Sequence, residues 1–507
     1  MNKKVKRFII GIVLVCVSLV IGIVSGIKIA SSKKTAVFST PTEQLVNILK
    51  ENWYSDIYYG EDANEDILID QFIGALSTSD KVRLDPYTYL IKNENGTPSI
   101  ETGKLGITIS FYYNYPVIID VSQFGASYGI LQIGDIITKT GKNEKDEFSI
   151  TDNEVNFSNI LNLALGIPGE NIFLKIARFD ENNALHYIDL EIELKGSTQT
   201  AYAYIEEENI EDTIMVKLTS FVSGVGNNDT CNQLDDILSN NPSKNLILDI
   251  RDNGGGDLSS VVNICDLFLP EKTLVTTLIY KNGSKGIQIT SKPLKYEYDK
   301  IIILQNGNTA SASEILISTL SYYYPEKVTL IGNKSYGKGI AQRKVNVLNN
   351  QYTLQYTCAK WLRPDGTWIG MNESFYHDNY PLGFEPSKDC SIEKNNLLTL
   401  MEKNNSYVFY KTDSDAYQMD KVASQNKYFF EIINEMYQMD CRIDFYFDEN
   451  CLSALKHYQK TKQLSESGLM DENTFLYFVK DFYDERNDYS LLHLKKAEEI
   501  IKGALNG

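Results

Sequence analysis

The sequence predicts a multidomain α/β protein: an N-terminal transmembrane helix, a helical cap, a small β-rich domain, an α/β core and a C-terminal helical module. Three observations predict it. The chain is 507 residues long with 43 % hydrophobic and 23 % charged residues, an ordinary globular composition for three or four domains. A charge-free apolar run occupies residues 8–27. Beyond it the hydrophobic pattern changes three times, from helical steps to short glycine-punctuated strands, to strands alternating with helices, and back to helical steps.

Residues 1–34 form the cytoplasmic tail and anchor. At 1.5 Å per residue the run from Phe8 to Ile27 spans about 30 Å, one bilayer core. Lys3, Lys4, Lys6 and Arg7 precede it, so the positive-inside rule keeps the N-terminus cytoplasmic and exports the rest. A cleaved signal peptide is the alternative, but Ser25 to Ala30 makes a poor cleavage site. The chain carries −18 in total, yet residues 1–34 hold seven cations and no acid, so the exported body carries −25. That body lacks the basic footprint nucleic-acid binding requires. The four histidines are scattered, which excludes a His-rich metal cluster, and no CxxC is present.

Residues 35–100 read as helical, with Leu45, Ile48, Leu49 and Trp53 at three- and four-residue steps and a turn at Asp85-Pro86. Residues 101–196 carry short β-branched runs such as Pro116 to Asp120 and Ile172 to Ile176, separated by glycines. Residues 197–390 alternate strands and helices. Asn245 to Ile250 and Ile301 to Leu304 are short, mostly apolar runs, as strands buried on both faces are. Residues 391–423 are polar and acidic and read as a linker. Residues 424–482 read as a helical domain and 483–507 as a separate C-terminal helix.

Two strand-to-turn junctions carry chemistry. In the first, Asp249 to Leu258, the strand runs into Gly254-Gly255-Gly256, where backbone N–H groups can approach a ligand closely. In the second, Asn306 to Leu316, a strand turns through small residues into a helix whose first N–H groups favour developing negative charge beside Ser311. Each has a plainer reading, as a tight turn and as an N-cap. A nucleophilic serine needs a base, and no histidine lies within 60 residues of Ser311. Lys338, between Gly337 and Gly339, is the better candidate: burial lowers an amine's pKa. If the stretch is extended, Gln342 shares its face and can hold the amine.

Together these segments resemble the carboxyl-terminal processing, or tail-specific, proteases. Asp249 to Leu258 is similar to that family's Asp-Leu-Arg-Asn-Asn-x-Gly-Gly turn, and Asn306 to Glu314 to its Ser-Ala-Ser-Ala-Ser-Glu segment, whose middle serine corresponds to Ser311. Tyr336 to Gln342 resembles Phe-Gly-Lys-Gly-x-x-Gln, Asp85 to Leu90 resembles Asp-Pro-His-Ser-x-Tyr-Leu, and Gly383 to Pro386 resembles Gly-x-x-Pro-Asp. The Ser–Lys spacing of 27 is about two residues longer than usual, and Asn308 and Thr309 replace the usual Gly and Ser. The resemblance implies a core of the ClpP/crotonase-like type and a serine endopeptidase with Ser311 as nucleophile, Lys338 as base and Gln342 assisting. It also implies an oxyanion hole from the N–H groups of Ala312, Gly255 and Gly256, and no metal or organic cofactor. Residues 101–196 then look like a PDZ domain, with Lys104-Leu105-Gly106-Ile107 as its carboxylate-binding loop. Residues 424–482 are similar to a peptidoglycan-binding-like module. The implied partners are protein substrates held by their C-terminal tails, cell-wall peptidoglycan and, in a homodimer, a second copy.

Two rivals remain. One is a non-catalytic scaffold with an inactive core. The other is a penicillin-recognising enzyme, since Ser335-Tyr336-Gly337-Lys338 fits Ser-x-x-Lys and Lys139-Thr140-Gly141 supplies Lys-Thr-Gly. Gly337 and Gly339 argue against the helix that motif needs.

Overall fold

The computed structural model describes residues 48–49, 51–53, 87–92, 105–121, 125–141, 148–149, 168–195, 200–203, 210, 212–347, 352–370, 383–405 and 417–505. The expected anchor, most of the helical cap and Lys104 lie outside the described residues. Among those described, no helix is long and apolar enough to cross a membrane.

Three sheets organise the described chain. The antiparallel sheet of the β-rich region has the order β2-β3-β4-β6-β7, with β5 beside β4. Its strands are β2 (Ile107–Tyr112), β3 (Tyr115–Val121), β4 (Ile136–Gly141), β5 (Phe148–Ser149), β6 (Asn171–Phe179) and β7 (Leu185–Glu193). Strand β2 lies at the edge, after a tight approach of Gly106 to Gly125: a Cβ on Gly106 would stand 2.4 Å from the Gly125 Cα. Leu105 is buried and its carbonyl accepts the Ser127 N–H.

The second sheet has the order β14-β13-β10-β9-β8. Strands β9 (Thr213–Leu218), β10 (Asn245–Asp249), β13 (Lys300–Gln305) and β14 (Val328–Gly332) run parallel, and β8 (Ala201–Ala203) is an antiparallel edge. Helices α1 (Thr230–Asn240), α2 (Leu258–Phe268) and α3 (Ala312–Tyr323) connect the parallel strands. Leu246, Leu248, Ile301 and Ile303 face the helical layer and pack with Ile264, Leu316 and Leu320. The alternate residues Ile247, Ile302 and Leu304 pack on the other side, against Ala497 and Ile501. Both faces are covered, which is why the middles of these strands, Leu246 to Leu248 and Ile301 to Leu304, are apolar without alternation.

The third sheet has the order β1-β16-β11-β12, with β15 also on β16. It comprises β1 (Tyr89–Lys92), β11 (Leu274–Tyr280), β12 (Lys285–Ile289), β15 (Ile340–Val347) and β16 (Tyr352–Leu362).

The C-terminal third departs from the sequence reading in two ways. The expected linker contains α4 (Asn396–Lys403), with Leu398 and Met401 buried in the same core as α5 (Ser424–Tyr437) and α6 (Glu449–Thr461). Apolar residues three apart, inside a polar stretch, suffice for one buried face. The expected boundary at 482/483 falls within one 34-residue helix, α7 (Glu472–Leu505). No glycine or proline interrupts residues 472–502, so nothing local ends it.

These helices pack on the β-rich sheet. Tyr113 stacks on Phe478 with ring centroids 5.0 Å apart, and Tyr112 meets Phe482 edge-on at 4.9 Å. Asn405 ties the β2–β3 turn by accepting the Tyr113 N–H at 2.6 Å and donating to the Phe111 carbonyl at 2.9 Å. Cys231, Cys265, Cys358, Cys390, Cys441 and Cys451 are buried free thiols, so Cys441 and Cys451 do not pair.

Candidate active site

The site forms where β10 and β13 end. After Asp249 the chain turns, and Asn253 fixes the turn. Its side chain donates to the Leu218 carbonyl (2.8 Å), while its own carbonyl accepts the Ala310 N–H (3.1 Å) and the Ser313 hydroxyl (2.9 Å). This ties the glycine turn to the serine segment that follows β13. Gly255 has φ +104°, and a Cβ there would stand 2.9 Å from Ser311 Cβ and 2.9 Å from the Ala312 nitrogen. Only glycine allows this approach. The Gly255 N–H donates to Asn253 Oδ1 at 2.9 Å, so in this arrangement it is engaged. Gly256 packs against Phe221: a Cβ there would lie 2.1 Å from the Phe221 carbonyl oxygen.

Ser311 is half-buried and precedes α3 with φ 59° and ψ −114°. For a residue with a side chain this conformation costs of order 1–3 kcal/mol and persists only where surroundings enforce it. The enforcing group is Glu314. Its carboxylate is fully buried and accepts four hydrogen bonds. One oxygen, Oε2, takes the Ser311 N–H and the Lys338 N–H, each at 2.8 Å. The other, Oε1, takes the Ser335 hydroxyl at 2.6 Å and the Gly337 N–H at 2.7 Å. Burial pushes its pKa up, and these donors oppose the rise.

Lys338 lies just ahead of β15. The Trp361 indole donates to its carbonyl at 2.9 Å. Gly339 packs so closely on Trp368 that a Cβ would stand 2.4 Å from the indole nitrogen. Burial pushes the Lys338 amine below the usual lysine value, and the nearby Glu314 charge opposes that. Its Nζ stands 4.6 Å from the centroid of the Tyr87 ring. Gln342 follows on β15, and its Nε2 is buried without a hydrogen-bond partner. The period-two argument linking Lys338 to Gln342 does not apply. The strand starts at Ile340, so Lys338 precedes it; the register shift opposite Ala341 and Gln342 lies in β16, where Cys358 is the extra residue.

Glu314, Asn253 and Tyr87 were not singled out for any role by sequence. Ser311-x-x-Glu314 has the form of a capping box, the one signal that points to Glu314. The penicillin-type reading fails. Ser335 lies in a loop, where it donates to Glu314 and accepts the Phe384 N–H, and Lys139 to Gly141 belong to β4 in another sheet. Among the described residues no group of His, Cys, Asp or Glu is arranged to hold a metal.

The C-terminal ends of the parallel strands are braced from α7. Arg251 pairs with the buried Asp249 at 2.7 Å and donates to the Ser490 carbonyl at 2.7 Å. Burial alone would raise the Asp249 pKa, but Arg251 and Lys217 hold it well below the usual carboxylate range. Arg486 faces Asp252 at 3.5 Å, and Tyr489 bonds Asn333.

Comparison with known proteins gives relatives along the chain. Residues 212–374 match the sequence profile of Peptidase family S41. The chain is 25 % identical to the carboxy-terminal processing protease CtpA of Bacillus subtilis, over 99 % of both chains. It is 28 % identical to a Staphylococcus epidermidis protein named "Probable CtpA-like serine protease", covering 52 % of this chain and 48 % of that one. The chain thus spans nearly the whole of one relative and about half of the other. The structure of a photosystem II D1 C-terminal processing protease superposes on 70 % of this chain and 92 % of its own, with 16 % identity and a TM-score of 0.42. Residues 212–374 are a peptidase family S41 domain, and the chain is a homologue of the carboxy-terminal processing protease CtpA.

Proposed function

We propose that this protein is a membrane-anchored, extracytoplasmic serine endopeptidase that processes proteins from their C-terminal tails through a Ser311/Lys338 acyl-enzyme. The observation that carries the proposal is the shared carboxylate oxygen: Glu314 Oε2 accepts the backbone N–H of both Ser311 and Lys338, each at 2.8 Å, and so fixes the two residues against each other.

In this reading the neutral Lys338 amine takes the Ser311 hydroxyl proton as Oγ attacks the scissile carbonyl. Burial favours the neutral amine, as the chemistry requires. The resulting ammonium returns the proton to the leaving amine, and water then releases the acyl group. The Gln342 amide, buried with an unpartnered Nε2, is the group that holds the amine in line. The oxyanion rests on the Ala312 N–H at the start of α3, with Gly255 or Gly256 as second donor. For Gly255 to serve, its N–H must first leave Asn253 Oδ1.

The rest of the reading follows the sequence. Residues 8–27 anchor the chain, with a ClpP/crotonase-like core outside the membrane. A PDZ-like sheet captures a substrate tail along its β2 edge, beside Leu105-Gly106-Ile107. Peptidoglycan contact by the helical region and a homodimer complete it. The inactive-scaffold alternative leaves the convergence of Ser311, Glu314 and Lys338 without a purpose.

The test is cleavage of a protein with an apolar C-terminus by the wild type, Ser311→Ala and Lys338→Ala. Both variants should lose turnover and still bind the tail. Full cleavage by either one sinks the assignment.

A further inference from the structure

The Lys338 ammonium has an unexpected neighbour. Its Nζ sits over the face of Tyr87, 4.6 Å from the ring centroid. Tyr87 comes from outside the S41 domain, in the segment that leads into β1, and the surrounding bonds hold it there. Thr88 Oγ1 accepts the Thr357 N–H at 3.1 Å, Gln355 Nε2 donates to the Tyr87 carbonyl at 3.4 Å, and the Tyr87 and Tyr336 hydroxyls lie 3.0 Å apart. Among the described residues, no hydrogen bond or ion pair from Lys338 Nζ to Ser311, Glu314 or Gln342 is present. Among the described residues, the groups that act on the amine are the Glu314 carboxylate from α3 and the Tyr87 ring ahead of β1, whose hydroxyl meets that of Tyr336.

We propose that Tyr87 is a positioning residue for the Ser311/Lys338 pair: its ring face parks the lysine as an ammonium in the free enzyme and so sets the pH at which the amine becomes a base. The inference rests on the dyad reading above. An aromatic face carries negative quadrupole density and attracts a cation, the more so where water is excluded. It has no comparable attraction for a neutral amine. The ring thus favours the charged form, while burial of the same amine favours the neutral one. Removing the ring leaves the second influence unopposed except by Glu314.

The sign follows directly. The dyad requires neutral Lys338, so kcat/KM rises as pH passes through the lysine pKa. Losing a contact that favours the ammonium lowers that pKa and moves the rising limb to lower pH. The strength range of such contacts converts to roughly 0.4–1.5 pH units.

The experiment is the pH profile of kcat/KM for the full chain on a protein with an apolar tail, with Tyr87→Leu, Tyr87→Phe and Lys338→Ala. Tyr87→Leu should move the limb down by that amount, and Tyr87→Phe, which keeps the ring and loses only the hydroxyl, should leave it in place. If thermal unfolding shows that leucine is not accommodated, Tyr87→Met makes the same comparison. A limb at the wild-type pH in the folded leucine or methionine variant overturns the proposal, as does an equal shift in the phenylalanine variant. Wild-type activity in Lys338→Ala would instead overturn the dyad itself, so the two failures are distinct.

Discussion

Replacing Glu314 by glutamine tests how the site is held together. All four partners of the carboxylate donate to it: three backbone N–H groups and the Ser335 hydroxyl. A glutamine has one acceptor oxygen, and its NH2 must replace either Oε1 or Oε2. At the Oε2 position the NH2 would face two backbone donors, from Ser311 and Lys338, and orphan both. At the Oε1 position it would orphan only the Gly337 N–H, because the Ser335 hydroxyl can rotate to accept instead. The second orientation therefore wins. Its cost is one buried unpaired N–H, about 1–3 kcal/mol of stability. The link between Ser311 and Lys338 survives through the remaining oxygen, so Glu314→Gln should keep measurable turnover. Glu314→Ala, which orphans every donor and leaves a cavity, should lose both more stability and nearly all turnover. A second consequence is electrostatic. The Glu314 charge favours the Lys338 ammonium, so its removal lowers the lysine pKa and shifts the rising limb of kcat/KM to lower pH. Urea unfolding and pH–rate profiles of both variants provide the measurement. If Glu314→Gln is as destabilised and as inert as Glu314→Ala, the orientation argument is wrong. If the limb stays in place, the charge does not act on Lys338.

Two further outcomes follow from packing and charge. Gly255→Ala should lower turnover by at least a hundredfold without preventing tail binding: its Cβ would press within 2.9 Å of Ser311 Cβ at a backbone φ of +104°. Equal turnover would show that the approach of the two turns is dispensable. Arg251→Ala should destabilise by roughly 3–5 kcal/mol at neutral pH, because it strips the main partner from the buried Asp249. Since the Asp249 pKa is depressed in the folded state, the wild-type contribution is complete above the unfolded value of about 4 and fades as pH falls below it. Unfolding at pH 6 should separate the proteins more than unfolding at pH 3, and a constant difference refutes the assignment.

What was legible in the sequence was local. Leu246 to Asp249 and Ile301 to Leu304 read as buried strands because a strand covered on both faces has no polar alternation to hide. The serine and lysine segments stood out because small residues and glycines are concentrated where backbones must approach. What could not be read was set by distance. The register shift opposite Ala341/Gln342 comes from an extra residue, Cys358, in the partner strand β16, which the pattern of β15 does not contain. The helix at Asn396–Lys403 is buried by α5 and α7, so its polar surroundings misled. Tyr87 and Lys338 are 251 positions apart, and no spacing rule joins them.

The brace on the active-site sheet has a consequence for the order of events at the ribosome. Arg251 is synthesised 239 residues before Ser490, the residue of α7 whose carbonyl receives its guanidinium. Ala497 and Ile501, on the same helix, help cover the second face of β10 and β13. Until those residues emerge, the strands that present the serine turn have one apolar face only partly covered, by Cys390 and Ile392 among others, and the Arg251 guanidinium lacks its Ser490 acceptor. Helix α7 is therefore the keystone of this sheet, and a nascent or truncated chain without it holds Ser311 and Lys338 but lacks the brace on the strands that present the serine turn.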